Sequence, residues 1–230
     1  MNFILHRRLA ERDLASAAAG IGAMLPDLWR MADRRMRAKT AVRVVGAADD
    51  LRDVLAGVEH HLATDRWFHG HAAFHDGERE TTRRLLVVAA DVPKLALLGH
   101  AAWEMCLDGA LLRREGLQPT LDALRAQMRA LTLAPIYSAA RYHRRPHLAS
   151  PEAQSVFDAS LGHLFERLLE GGWITGYTTG MGIARRIDGM RARYGLARLS
   201  PAVLADVADV FDAMAVHADR ALGDVIERRR

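Results

Sequence analysis

Leu95-Ala96-Leu97-Leu98-Gly99-His100-Ala101-Ala102-Trp103-Glu104-Met105-Cys106-Leu107-Asp108-Gly109-Ala110-Leu111-Leu112 carries only two charged residues, Glu104 and Asp108. With His100 they stand at i, i+4 and i+8, the spacing that lines one face of an α-helix. A carboxylate held in so apolar a run must be paired or must bind a metal. Upstream, His61, Asp65 and His69 repeat the same spacing. Two facing helices with such stripes can hold one or two metal ions between them. The pattern predicts a protein made of helices with a metal centre between them.

The bulk properties agree with a folded chain. It has 230 residues, half of them apolar, enough for one well-cored domain. The net charge is +4 and the cations are almost all arginine, Lys39 and Lys94 being the only lysines. Arginine suits carboxylate and phosphate because its planar fork binds two oxygens at once; an arginine-rich composition is also what a GC-rich genome encodes. Cys106 is the only cysteine, so no internal disulfide forms, and its apolar neighbours make it a small core residue. The opening Met1-Asn2-Phe3-Ile4-Leu5-His6-Arg7-Arg8 lacks a signal-peptide layout. Leu95–Leu112 is near membrane-span length, but His100, Glu104 and Asp108 are costly in lipid. The expected location is the cytoplasm.

Helical signals dominate. Asp13–Ala19 is alanine-rich, Gly20-Ile21-Gly22 reads as a break, and Leu25-Pro26-Asp27-Leu28-Trp29 reads as a helix start. Leu51, Leu55, Val58 and Leu62 have helical spacing within Asp49–His69. Thr120 reads as a cap for a helix to about Leu131; Ser150-Pro151 and Ser200-Pro201 read as two more starts. A long apolar stripe of Leu204, Val207, Phe211, Met214, Ala218, Leu222 and Val225 follows the last. Val42–Val45 and Leu85–Val88 are the only strand-like runs, and both fit helix or loop equally well. Pro135–Ser150 is the least regular stretch, a basic loop of the kind found beside sites.

Each chemical candidate has a plain alternative. A single histidine such as His6 is ordinarily a surface or satisfied core residue. Asp27 after a proline suits a helix N-terminus. The His61, Asp65 and His69 stripe fits a solvated face, yet its apolar neighbours Leu62 and Phe68 favour the rim of a metal site. His71 and His75 lie just beyond. His100 and Glu104 fit a lone buried hydrogen bond, but imidazole and carboxylate one turn apart are also a common zinc or di-metal ligand pair. Asp108 is open as a ligand, a partner of His100 or Glu104, or an exposed residue. Arg185, Arg186, Arg191 and Arg193 make a basic helix. No glycine-rich nucleotide loop follows a strand and no serine sits in a nucleophile elbow; nucleic-acid binding is not expected.

The chain resembles the acyl carrier protein phosphodiesterases, the holo-acyl-carrier-protein hydrolases related to HD-type metal phosphohydrolases. Met1-Asn2-Phe3 with His6 is similar to the family's opening, and Gly22 with Asp27 to its glycine–aspartate turn. Gly57-Val58, His61 and Asp65 match a further block in spacing, as do Trp173, Tyr177, Ile183, Gly189, Met190 and Arg193 near the C-terminus. The departures are specific. His69 and His100 stand where the family tends to have aspartates, and Glu104-Met105 stands for an Asp-His pair. Leu62 and Ala63 replace basic residues after the family histidine, and the segment between Asp27 and Gly57 is longer. The histidine–glutamate pair and the Leu-Pro-Asp turn also resemble bacterial zinc-dependent phospholipase C.

The resemblance and the residues together predict a single all-α domain over residues 1–230, a helical bundle of the HD-phosphohydrolase type. Its expected activity is metal-dependent phosphodiester hydrolysis, with phosphopantetheine released from an acidic holo acyl carrier protein as the family reaction. The expected metal ligands are His6, Asp27, His61, Asp65, His69, His100 and Glu104. The expected ion is a divalent transition metal (zinc, manganese or iron), which imidazole with carboxylate favours over calcium or magnesium. Asp65 is also expected to orient water, and Arg193 to neutralise a phosphate oxygen. Two other functions fit the same residues: hydrolysis of a small phosphodiester or phospholipid, and non-catalytic binding of a metal or haem.

Overall fold

A computed structural model describes residues 2–38, 49–131, 136, 139, 140, 148 and 150–227. Val42–Val45 and most of Pro135–Ser150, including Tyr137, Tyr142, His143 and His147, lie outside the described residues. Among the described residues the fold is all-helical, with no strand. The helices are α1 (Phe3–Leu14), α2 (Ala17–Ala32), α3 (Asp49–Phe68), α4 (Ala72–Val88), α5 (Gly99–Glu115), α6 (Leu117–Ala130), α7 (Pro151–Leu169), α8 (Gly180–Arg193) and α9 (Pro201–Glu227), with 3-10 turns at Ala96–Leu98 and Thr175–Thr178. None is long and apolar enough to cross a membrane.

The described chain forms two compact units. One consists of the described residues within 3–67 and 118–170, the other of residue 2 and those within 68–117 and 171–227. In the first, α1 and α7 pack on α2. Burial of Phe3, Ile4, Leu5, Leu9, Ile21, Met24, Leu25, Leu28 and Trp29 makes its core, at roughly 1.5–3 kcal/mol for each large apolar side chain. Arg7 ties the helices together: its Nε donates to Gln127 Oε1 at 2.9 Å and pairs with Glu11 at 2.8 Å. In the second unit α9 packs on α4, α5 and α8. Val207, Phe211, Met214, Ala218, Leu222 and Val225 are buried as the stripe predicts, while Leu204 is only partly so.

The starts of α7 and α9 follow the sequence reading. Ser150 Oγ accepts from Ala153 N, and Ser200 Oγ accepts from Val203 N. Other boundaries differ. α2 begins at Ala17, capped by Ser16, whose hydroxyl accepts from Ala19 N and donates to Asp53 Oδ2 at 2.6 Å. Gly20-Ile21-Gly22 is therefore no break and Pro26 is no helix start; both lie inside α2. The glycines serve packing: a Cβ on Gly22 would lie 2.1 Å from the Val54 carbonyl oxygen, and one on Gly57 2.0 Å from that of Ala19. Helices α2 and α3 thus cross in backbone contact. Leu85–Val88 is the last turn of α4, and Thr120 lies inside α6, whose start is Leu117.

Candidate metal sites

The structure sorts the ligand-type residues into two groups, each within one unit. His6, His61 and Asp65 bring one ligand atom each within 4.8 Å of the others; His69, His100 and Glu104 do the same in the other unit. The i, i+4, i+8 stripe breaks at its last member. Helix α3 ends at Phe68, so His69 sits in the following turn and leaves the face that carries His61 and Asp65.

In the first group, two buried imidazoles share one carboxylate. His6 Nε2 lies 3.0 Å from Asp65 Oδ1, and His61 Nε2 lies 3.3 Å from Asp65 Oδ2. The rings stack with centroids 3.9 Å apart. His61 Nδ1 donates to the Ala23 carbonyl at 2.8 Å. That bond commits one ring proton and turns Nε2 toward the carboxylate, the usual way a protein prepares a histidine ligand. Pro26 lies in the same turn; it has no N–H to donate back to the Gly22 carbonyl, which loosens the ladder beside Ala23.

The electrostatics are those of a cation site. Burial, with the neighbouring His61, pushes the His6 imidazole down to about 4, so the ring is neutral at pH 7. His61 goes the other way: burial opposes its charge, but the hydrogen bond to Asp65 and the charges of Asp27 and Asp65 win, and its pKa is raised. Asp65 and Asp27 both stay ionised. Burial works against each, and the two histidines outweigh it at Asp65 and help to do so at Asp27. These carboxylates thus favour the charged form of His61, and the same negative charge can balance a divalent ion. His6 Nδ1, buried and with no hydrogen-bond partner among the described residues, marks His6 as the less satisfied ring. Two imidazoles with carboxylates are the donor set of zinc, manganese or iron. His60, beside His61, is a structural residue: it pairs with Asp13 at 2.9 Å and contacts Thr64 Oγ1.

In the second group, Glu104 Oε1 lies 3.4 Å from His69 Nε2 and 3.3 Å from His100 Nε2. Glu104 is buried as its apolar run predicts, but the His100 side chain is 41% exposed, so only one end of this pair is in the core. Asp108 is fully buried, which removes the exposed alternative; the Asn2 amide, turned to donate, reaches its Oδ1 at 2.9 Å and the Glu104 carbonyl at 3.1 Å. His71 caps α4 through Nδ1, and His75 is exposed.

Arg193 ends α8 and is exposed. The basic helix is not uniformly solvated: Arg191 is buried and donates to the carbonyls of Pro93 and Ala197, and Arg186 lies over the Trp173 ring at 5.2 Å. Cys106 is a core residue, its thiol pushed up to about 12 by burial. Sequence reasoning missed Glu78, which meets His100 at 3.1 Å. It stands in a helix crowded with Asp76, Glu80, Arg79, Arg83 and Arg84, where nothing in its spacing sets it apart. No protein-family model matches the chain, and neither does a curated protein or a solved structure.

Proposed function

We propose that the chain is a metal-dependent phosphodiester hydrolase acting at His6, Asp27, His61 and Asp65, in a helical domain of the HD type that works in the cytoplasm. The observation that carries this reading is the stacked, buried imidazole pair sharing Asp65, with the His61 proton committed to Ala23. Such a pair has its nitrogens aimed at one carboxylate and its tautomer set in advance, which is what ion binding needs. The ion supplies Lewis acidity toward water and toward a phosphoryl oxygen.

The residues of the chain do the rest. His6 and His61 hold the ion as neutral rings, and Asp27 balances its charge. Asp65 is 33% exposed, the carboxylate of the pair through which solvent reaches the site. Both of its oxygens face an imidazole, and its exposed edge is where it would accept a proton from water. Arg193 is the proposed cation for a phosphate oxygen, a role that rests on the C-terminal block and not on a contact at the site. The proposed partner is holo acyl carrier protein, an acidic surface that the arginine surplus would steer.

The test uses protein purified without chelator or histidine tag, assayed for phosphopantetheine release from holo acyl carrier protein beside an aryl phosphodiester. The reading expects release that falls with added salt, a bound transition ion, and loss of release together with one bound equivalent in His61→Ala and Asp27→Ala. Hydrolysis of the aryl ester alone would keep the chemistry and discard the protein partner. Fully metallated protein that cleaves neither would reject the hydrolase.

A further inference from the structure

Helices α4 and α5 also pack through glycines, here against side chains of the partner helix. A Cβ on Gly77 would lie 2.1 Å from the Trp103 ring, and one on Gly99 2.1 Å from Thr82 Oγ1. The next residues along the chain are Glu78 and His100, and this crossing joins them: His100 Nδ1 meets Glu78 Oε1 at 3.1 Å. With Nδ1–H donated to Glu78, His100 Nε2 presents its lone pair toward Glu104 and His69. A carboxylate behind the ligating imidazole is the usual support of a protein metal ligand.

The front of the site has matching dimensions. Ligand atoms about 2.0–2.1 Å from a tetrahedral ion lie about 3.3–3.4 Å from one another. The separations from Glu104 Oε1 to His100 Nε2 and His69 Nε2 are 3.3 and 3.4 Å. Both are long for a charge-assisted hydrogen bond, which is about 2.7–2.9 Å. Phe74 fixes the rings from behind, its centroid 4.8 Å from that of His69 and 5.0 Å from that of His100. The two imidazoles are themselves edge to face at 4.8 Å, so they converge without stacking. Their side chains are 36% and 41% exposed, which leaves a fourth position to solvent.

We infer that His69, His100 and Glu104 form a second divalent transition-metal site, with Glu78 as the positioning residue that orients His100. Three protein ligands with one side open is the arrangement of an exchangeable ion, not of a closed structural zinc. The inference does not rest on the proposed hydrolase: it concerns other residues, in the other unit.

The experiment is a titration of chelator-stripped, full-length protein with cobalt(II), read by metal content and by visible absorption. The wild type should bind one equivalent more than His69→Ala or Glu104→Gln. The ligand-field bands contributed by this site should be lost in both variants, leaving only those of the other site, and should persist in His61→Ala. His69 lies in a partly exposed turn, so its loss leaves the fold intact, which circular dichroism checks, even if Glu104→Gln unfolds. Glu78→Ala should weaken cobalt about 10–100-fold, and Glu78→Gln, whose carbonyl still accepts from Nδ1, should restore most of it. Unchanged cobalt content and bands in His69→Ala would overturn the site. If His61→Ala loses an equivalent while His69→Ala does not, the second site fails and the first stands. The converse leaves the second site and removes the first.

Discussion

At the scale of single residues, His6 and His61 titrate in opposite directions although their rings touch. In chelated protein the two shifts act on opposite sides of pH 6.5, the ordinary value for an unfolded histidine. The His6 pKa is depressed to about 4. Its contribution to stability is complete above pH 6.5 and is lost as pH falls toward 4, as the unfolded chain takes up a proton that the folded chain refuses. That loss is on the order of 3 kcal/mol. The His61 pKa is raised, so its contribution is complete below pH 6.5 and is lost as pH rises through the raised value. The melting temperature of chelated protein should therefore peak near pH 6.5. His6→Asn should flatten the acid limb and leave the alkaline limb; an acid limb equally steep in the variant would show that another group controls it. Little of this was legible in the sequence. His6 is one histidine among eleven, and its importance comes from a partner 55 positions away on another helix. His61 and Asp65 were legible because one helical turn is a local fact. His69 was mis-set because the helix ends one residue before it.

At the scale of helices, the pattern that best survived is apolar periodicity. It marks the buried face of α9 and the body of α3, and it fails at ends, where a single cap decides. Pro26 and the glycines of α2 misled for one reason: each is a common punctuation mark, and here all lie buried inside the helix, with Gly22 against the backbone of α3. Only the partner helix shows the difference. The α2–α3 crossing gives a direct test. Gly57→Ala places a methyl 2.0 Å from the Ala19 carbonyl oxygen, where backbone must move. The expected cost is on the order of 3 kcal/mol, and the helices part enough to break the bond from His61 to Ala23. Denaturant melts should show the loss, and transition-metal affinity should fall with it. Gly223→Ala is the control. It lies in α9 with nothing within 4 Å of the added methyl, and should be neutral or stabilising by up to about 1 kcal/mol. Equal behaviour of the two variants would mean that α2 and α3 do not meet through Gly57.

At the scale of the molecule, the all-helical fold was legible from composition and period, but the grouping of the ligands was not. Seven residues look alike as a list, and only packing sorts them. The proposed ions act on global stability by mass action, since they bind only the folded form. With free metal at a thousand times Kd, one site contributes about 4 kcal/mol; for a chain of 230 residues that is roughly 8–16 °C in melting temperature. Verified chelation should lower the melt by an amount of this order, and a variant lacking both His61 and His69 should melt alike with and without chelator. A wild-type melt indifferent to chelation would argue against tight binding at either place. The order in which the chain lays down its helices has another consequence. α4 and α5 pack against α9, which comes last of the three. On the ribosome the apolar faces of α4 and α5 emerge long before their cover exists. Until residues 201–227 clear the exit tunnel, those faces stand open to chaperones and to other nascent chains. Synthesis that halts near Ser200 would thus leave a product with Glu78, His100 and Glu104 all present but with no covered core behind them, a substrate for degradation rather than a shortened protein.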